Sequence, residues 1–418
     1  MKLRDTSLPV LVLQMQHHGA LGAMRSLGRL GVRMYGVHPT RRPMASFSKY
    51  CRNVFALDLD RTPPEHGVDC LRDIARNIGS MPLLMPTNDE SALFVARNAS
   101  QLEDRFLFPA NSVHVVWSLY NKKAMYLLAK RLSIPTPDTV FPESRKDVLE
   151  FCERARFPVM LKASDNILTS RHAGRKMVIA RSREELIAQY HAMEDGATPS
   201  LMIQEYIPGG DDSVWMLNGY FDEHAACLFS ITAKKIHQTP VYTGMTALGV
   251  CLPNPAIELA TKTLVSGVGY KGILDIGYRY DARDGVYKLL DVNPRLGATF
   301  RLFVGHNGMD VTRAQYLHFT GQAVPVSRIC TGRKWVLEDA DLVSCVHYYR
   351  DGVLGVREWL GSYGGLTECA WYAADDIRPF LRMCSSFAMR LCRKIFKKTR
   401  ALFRLASGSA MQYAVGIG

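Results

Sequence analysis

The feature that most limits what this 418-residue chain can fold into is its opening, residues 8–38, which read as strand, helix and strand. Pro9–Met15 is an apolar run. His17–Gly31 is rich in Gly and Ala and puts Leu21, Met24, Leu27 and Leu30 at helical spacing, and Val32–Val37 is a second short strand. A βαβ opening predicts a parallel sheet. Leu83–Met85 ends a further strand, and Pro86-Thr87-Asn88-Asp89-Glu90 reads as a loop and helix start, where Asp89 and Glu90 suit a first helical turn. The first domain is expected over about 1–120. The Gly19-Ala-Leu-Gly22 turn suggests dinucleotide binding, but GxGxxG is absent and no acidic residue ends the second strand. The sheet is therefore expected to serve as a Rossmann-like scaffold.

At roughly 100–200 residues per domain, the chain has room for two or three domains. Hydrophobic residues are 47% and charged residues 22%, which excludes a disordered or fibrous chain. The ten cysteines are scattered and form no CxxC pair, so no metal-ligand rhythm is present. Scattered thiols without a leader-like start point to a reducing cytoplasm. The run Leu8–Met15 is too short to span a bilayer.

From Asn121 the pattern changes. Lys122–Leu132 reads as a helix that stops at Ile134-Pro135-Thr136-Pro137, and Phe157–Lys162 as a strand ending in a lysine. A polar loop, Ser164–Lys176, leads to the strand Met177–Ala180. Ser182-Arg-Glu-Glu185 resembles a capping box, and Leu201–Ile207 reads as a strand entering Pro208-Gly-Gly-Asp-Asp212. Gly272–Tyr280 and Val286–Val292 form a hairpin around Asp281-Ala-Arg-Asp-Gly285.

That hairpin carries the chemistry. Asp275 lies on one strand, Asp291 near the end of its partner, and Asn293 two residues later on the same face. Two carboxylates and an amide oxygen form a hard-oxygen set suited to Mg²⁺. Arg295 continues that face as a phosphate or oxyanion partner, and Lys162 supplies a point charge at a strand end. A metal and cations around one cleft equip phosphoryl transfer. Taken singly, each residue also fits a plainer role: Asp275 and Asp291 flanking an exposed hairpin, Asn293-Pro294 marking a turn, Lys162 guarding a strand edge.

The order Lys122, Ile-Pro-Thr-Pro137, Pro-Val-Met-Leu-Lys162, Gln204-Glu-Tyr-Ile-Pro-Gly209, Asp275, Asp291-Val-Asn-Pro-Arg295 resembles the ATP-grasp superfamily over roughly residues 8–325. Arg25-Ser-Leu-Gly28, Pro86-Thr-Asn-Asp89, Asp291–Thr299, and Trp335 with Glu338-Asp339 make it most similar to the carboxylate–amine ligase subgroup that includes D-aspartate ligase. The resemblance implies an α/β fold: a Rossmann-like domain (1–120), two ATP-grasp subdomains (121–200, a lid, and 201–325, catalytic), a small closing segment (326–376) and a basic amphipathic tail (377–418). It implies that Lys122 and Lys162 contact ATP phosphates. Glu205 and Ile207 would contact adenine, Ile207 through its backbone, and Asp212 the ribose. Asp275, Asp291 and Asn293 would hold Mg²⁺ or Mn²⁺, and Arg295 would steady an acyl phosphate. Lys235 belongs to a further phosphate- or acyl-binding segment, with Lys234 as the alternative. The implied reaction is ADP-forming ligation of small-molecule carboxylate and amine substrates; a nucleotide-binding regulatory module and a kinase are the alternatives. A homo-oligomer is compatible with it. Two departures stand out. The loop after Lys162 has only Gly174, with Arg171, His172, Arg175 and Lys176 in place of glycines, and two metal ligands are Asp where Glu is common. In residues 326–376, Trp335, Glu338, Asp339 and Asp341 either line an acceptor pocket or belong to the closing segment.

The net charge is +13, from 52 Lys and Arg against 39 Asp and Glu. Nine basic residues and no acidic one lie between Ile377 and Arg404, which leaves a net of about +4 for the rest. In a helix over 382–406, Phe387, Leu391, Ile395, Phe396, Leu402, Phe403 and Leu405 share one half of the circumference. Arg390, Arg393, Lys394, Lys397, Arg400 and Arg404 share the other. One reading is an in-plane anchor on the anionic inner face of the membrane, hinting at envelope or surface-polysaccharide synthesis; the other is a terminal helix packed on the body. Nucleic acid is not expected, because no aromatic residues are interleaved with the basic ones for base stacking.

Overall fold

The computed structural model describes residues 1–15, 17–163, 177–193 and 201–393. The expected phosphate loop Ser164–Lys176 and the tail beyond residue 393 lie outside the described residues.

The opening pattern builds a parallel sheet of β1 (Val10–Leu13), β2 (Met34–His38), β3 (Cys51–Ala56) and β4 (Leu83–Pro86), in the order β3-β2-β1-β4. β1 is central and wholly buried, because alternate residues feed two cores. Leu11 and Leu13 pack with Val68, Leu71 and Ile74 of the helix Pro64–Ile78. Val10 and Val12 share a second core with Met24 of the helix His18–Gly28, with Ile231 and with Trp335. At the carboxyl end of β4, the Asn88 side chain caps the helix Asp89–Arg97 by accepting from Ser91 N.

A second sheet, antiparallel throughout, comprises β5 (Thr139–Val140), β6 (Val159–Ala163), β7 (Met177–Ala180) and β8 (Leu201–Glu205), in the order β5-β8-β6-β7. Period two sorts β6: Val159 and Leu161 enter a core with Phe151, Leu186 and Ile203, which leaves Met160 and Lys162 on the opposite face. Half of the expected capping box forms. Ser182 Oγ accepts from Glu185 N, while the Glu185 carboxylate takes Arg181 N.

The third sheet has seven strands, β9 (Val214–Phe221), β10 (Cys227–Thr239), β11 (Met245–Cys251), β12 (Gly272–Asp281), β13 (Val286–Asn293), β14 (Lys334–Val336) and β15 (Leu366–Cys369). Their order is β13-β12-β9-β10-β11-β14-β15, antiparallel except for the last pair. Leu274, Ile276 and Tyr278 of β12 pack against Ile257 and Leu264 of the helix Pro255–Val268. Each buried side chain of this size stabilises by about 1.5–3 kcal/mol, so Asp275, Gly277 and Arg279 are committed to the other face.

Residues 378–393 are helical. Their first turns pack on the body, with Met383 buried in the main core and Phe380 and Phe387 against it. The packed reading of the tail therefore holds as far as Phe387. Further on, Met389 and Leu391 are 45% and 50% exposed. Among the described residues no helix is long and apolar enough to cross a membrane. All ten cysteines are free thiols.

Candidate functional site

The second and third sheets enclose a cleft of about 450 Å³. Met160, Lys162 and Met177 form one wall, Glu205, Tyr206 and Ile207 the rim, and Lys235, Asp275, Asp291, Asn293 and Arg295 the facing wall. The hairpin pairs Asp275 with Asn293 and Gly277 with Asp291. A β-bulge follows, since Tyr278 pairs with Leu289 and Leu290 is extra. Leu290 thus joins Asp291 on the cleft side, an apolar residue beside the carboxylate that strict alternation would have turned inward.

The carboxylates are closely coupled to cations. Lys122, first residue of the helix Lys122–Arg131, donates to Asp291 Oδ1. Arg295 Nε donates to Asp89 at 3.1 Å and its Nη2 to Asn293 Oδ1 at 3.1 Å, while Nη1 lies 3.6 Å from Asp275. Asn218 Nδ2 donates to Asp275 at 3.1 Å. Burial raises the Asp275 carboxyl above its ordinary range against the pull of Arg295. Burial works the same way on Asp291, but Lys122 outweighs it and holds that group low. Two lysines are pulled down by burial to about 8: Lys162, helped by the charge of Lys122, and Lys235, opposed by Asp275. Gly297 has no room for a side chain, because a Cβ there would lie 2.6 Å from Asp275 Cγ.

Ten site residues were expected from the sequence, and their placement differs. Lys162, Ile207, Lys235, Asp275, Asp291, Asn293 and Arg295 line the cleft. Lys235 rather than Lys234 faces it, with Nζ donating to Gly244 O at 2.7 Å, whereas Lys234 turns to Asp212 at 3.7 Å. Asp212 is not among the lining residues, and its side chain is 74% exposed. Its neighbour Asp211 accepts instead from Gln238 Nε2 at 2.8 Å and from the Tyr348 hydroxyl. Glu205 is at the rim, but its carboxylate is taken by Arg283 at 2.5 Å and Lys288 at 3.5 Å. Lys122 is not among the lining residues and meets the site through Asp291.

Glu338 and Asp339 are drawn away from the cleft. Glu338 accepts from Trp371 N and Tyr372 N, and Asp339 from Trp371 Nε1, which holds the C-terminal segment. Trp335 is buried in the core. The sequence reading missed Asn218, Gln204, Gln238 and Arg279. Gln204 Oε1 is buried at the cleft without a hydrogen-bond partner among the described residues. Strand alternation from Asp275 would have pointed to Gly277 and Arg279; nothing local marks Asn218.

No family model matches the chain. It is 27% identical to the D-aspartate ligase of Enterococcus faecium over 240 residues, 55% of this chain and 57% of that protein. It is 22% identical to the arginine-specific large chain of carbamoyl phosphate synthase from Halalkalibacterium halodurans over 197 residues, 45% of this chain and 18% of that one. The chain thus spans well under two thirds of these curated relatives. Among solved structures, N5-carboxyaminoimidazole synthetase from Staphylococcus aureus, complexed with ADP, superposes with a TM-score of 0.59 at 10% identity, over 78% of this chain and 80% of that one. The L-amino acid ligase of Bacillus licheniformis gives 0.56 at 14% identity, over 77% and 76%. The biotin carboxylase domain of Hydrogenobacter thermophilus 2-oxoglutarate carboxylase, a dimer with MgADP and bicarbonate, gives 0.56 at 16% identity, over 77% and 72%.

The chain has the ATP-grasp fold. The parallel sheet abuts the cleft between the second and third sheets through Asp89, which meets Arg295.

Proposed function

We propose that this chain is an ADP-forming carboxylate–amine ligase. It transfers the γ-phosphate of ATP to a carboxylate, and an amine then displaces phosphate from the acyl carbon. The observation that carries this reading is the gathering of Lys162, Lys235, Asp275, Asp291, Asn293 and Arg295 on one cleft. The donor set of Asp275, Asp291 and Asn293 Oδ1 is all oxygen and fits Mg²⁺, with Mn²⁺ as a substitute, because their cation positions are held by Lys122 and Arg295. Bound there, the ion would neutralise charge on the transferring phosphoryl group.

The chain's own residues do the rest. Lys162 and Lys235 act as point charges on the phosphates, and Lys122, released from Asp291, joins them. Met160, Met177 and Leu290 offer an apolar slot for adenine, with the Glu205–Ile207 main chain at its edge. Arg295, fixed by Asp89, faces the oxyanion that forms when the amine attacks. The functional division is proposed as 1–120 scaffold, 121–200 lid, 201–325 catalytic, 326–376 closing segment and 377–418 tail.

The test is ADP release across a panel of amino acids, with and without an amine acceptor. ADP that appears only when both are present supports the ligase. ADP with a stable phosphorylated carboxylate, or nucleotide binding without turnover, overturns it in favour of a kinase or a binding module.

The basic tail supports a second element of the reading, a cytoplasmic enzyme peripheral on an anionic membrane and serving envelope or surface-polysaccharide synthesis. Met389 and Leu391 turn apolar surface outward where the packed part of the helix ends. Co-sedimentation of the full chain with anionic vesicles, lost on deleting 394–418, is the expected result; unchanged binding would overturn it.

A further inference from the structure

Behind the cleft wall, three side chains of different chemistry meet in a fully buried group that takes no part in the proposed reaction. His237 comes from β10; Asp341 and Cys345 lie one turn apart on the helix Glu338–Arg350. His237 is 4% exposed, and Asp341 and Cys345 are not exposed at all. His237 Nδ1 lies 2.8 Å from Asp341 Oδ1 and 3.5 Å from Cys345 Sγ, and Sγ lies 3.6 Å from Asp341 Oδ2. All three ligand atoms fall within 4.8 Å of one another.

We propose that His237, Asp341 and Cys345 form a zinc-type metal site that ties the helix Glu338–Arg350 to β10. The separations support it. Zinc bonds of roughly 2.0–2.3 Å to N, O and S at tetrahedral angles place ligand atoms about 3.3–3.6 Å apart. Two of the observed distances match, and the third is a histidine–carboxylate hydrogen bond that lengthens when an ion replaces its proton. One imidazole, one carboxylate and one thiolate select a borderline ion such as Zn²⁺ or Co²⁺ over Mg²⁺. The ion's two charges balance the carboxylate and the thiolate, so the buried group becomes neutral; the thiol proton leaves to solvent, and the histidine stays neutral with its hydrogen on Nε2.

An independent feature of the backbone points the same way. The pairing of β10 with β11 slips on both sides of His237, between Lys235 and His237 and again between His237 and Gln238. Bulges of this kind re-aim a side chain near functional sites. Outer partners are in place as well: the Tyr363 hydroxyl donates to Asp341 Oδ2 and accepts from Trp359 Nε1 at 2.8 Å. The ion would pin β10 where Lys235 and Gln238 reach the cleft.

Metal analysis of the full chain, purified without chelator, is expected to find about one zinc per chain. Cobalt added to the chelator-stripped chain should give a thiolate-to-cobalt charge-transfer band in the near ultraviolet. The band separates this group from the all-oxygen set at Asp275 and Asp291. Cys345→Ser should abolish the band and weaken cobalt binding by at least 100-fold. Asp341→Asn should weaken binding and keep the band, which guards against a Ser variant that fails to fold. No stoichiometric metal in the wild-type chain, or a band that survives Cys345→Ser, overturns the site and leaves a hydrogen-bonded cluster.

Discussion

Lys122 and Arg295 sit on the oxygens that a divalent ion would take, so ion and side-chain cation would exchange there. Asp291→Asn removes the group around which that exchange turns. It is expected to lower ADP-forming turnover by about 10³-fold or more, several kcal/mol of lost charge stabilisation. The unfolding midpoint should stay within a few degrees of wild type, because the Lys122–Asp291 pair is about one-third exposed and contributes little to stability. An active, folded variant would refute the assignment. The two lysines held at about 8 make a second prediction. Both are cationic below that pH, so the nucleotide dissociation constant should rise as pH climbs through 8, with a slope approaching two protons. Lys235→Arg should reduce the slope to one. Stability should move the opposite way: the unfolded lysines bind more protons between pH 8 and 10.5, so the free chain is stabilised by these groups as pH rises through that window. Calorimetric titration and thermal melts over pH 7–10 check both signs.

The helix His18–Gly28 is tied down by its Arg25. Nε donates to Asp376 at 3.0 Å, Nη1 to Ala370 O at 3.0 Å and Nη2 to Trp371 O at 2.7 Å, and both charged side chains are almost fully buried. Removing one partner strands the other, so Arg25→Ala should cost about 3–5 kcal/mol in urea unfolding. A loss below 1 kcal/mol would mean that the C-terminal segment is held by other contacts. This pair also marks where sequence reading stops. Strand positions, period-two alternation and the hairpin turn are local, and they made Asp275, Asp291 and Asn293 readable as one face of a hairpin and Lys162 as the end of a separate strand. Arg25 and Asp376 are 351 residues apart, and Arg295 and Asp89 are 206 apart. No local pattern encodes such a meeting. The bulges that turn Leu290 to the cleft and re-aim His237 are single-residue departures from period two. The resemblance puts Asp212 at the ribose, whereas the turn Asp211–Ser213 presents Asp211 to Gln238.

Across the whole molecule the cores divide unequally. The second sheet has its own, built from residues such as Phe151, Val159, Leu186 and Ile203, whereas the first and third sheets share one. A unit with a separate core opens on its own. Amides of β6 and β8 should therefore exchange faster than those of β1, β9 and β12, and MgATP should slow them selectively, since Lys162 and the Glu205–Ile207 rim face the cleft. Equal exchange in all three sheets, or no slowing by MgATP, would contradict a hinged lid. The shared core has a consequence for the folding reaction. Val10, Val12 and Met24 belong to the same buried cluster as Trp335, Trp371 and Met383. The same cluster also takes in Tyr220 and Ile231, so this core closes only when segments far apart in sequence meet, and contacts of that separation slow folding.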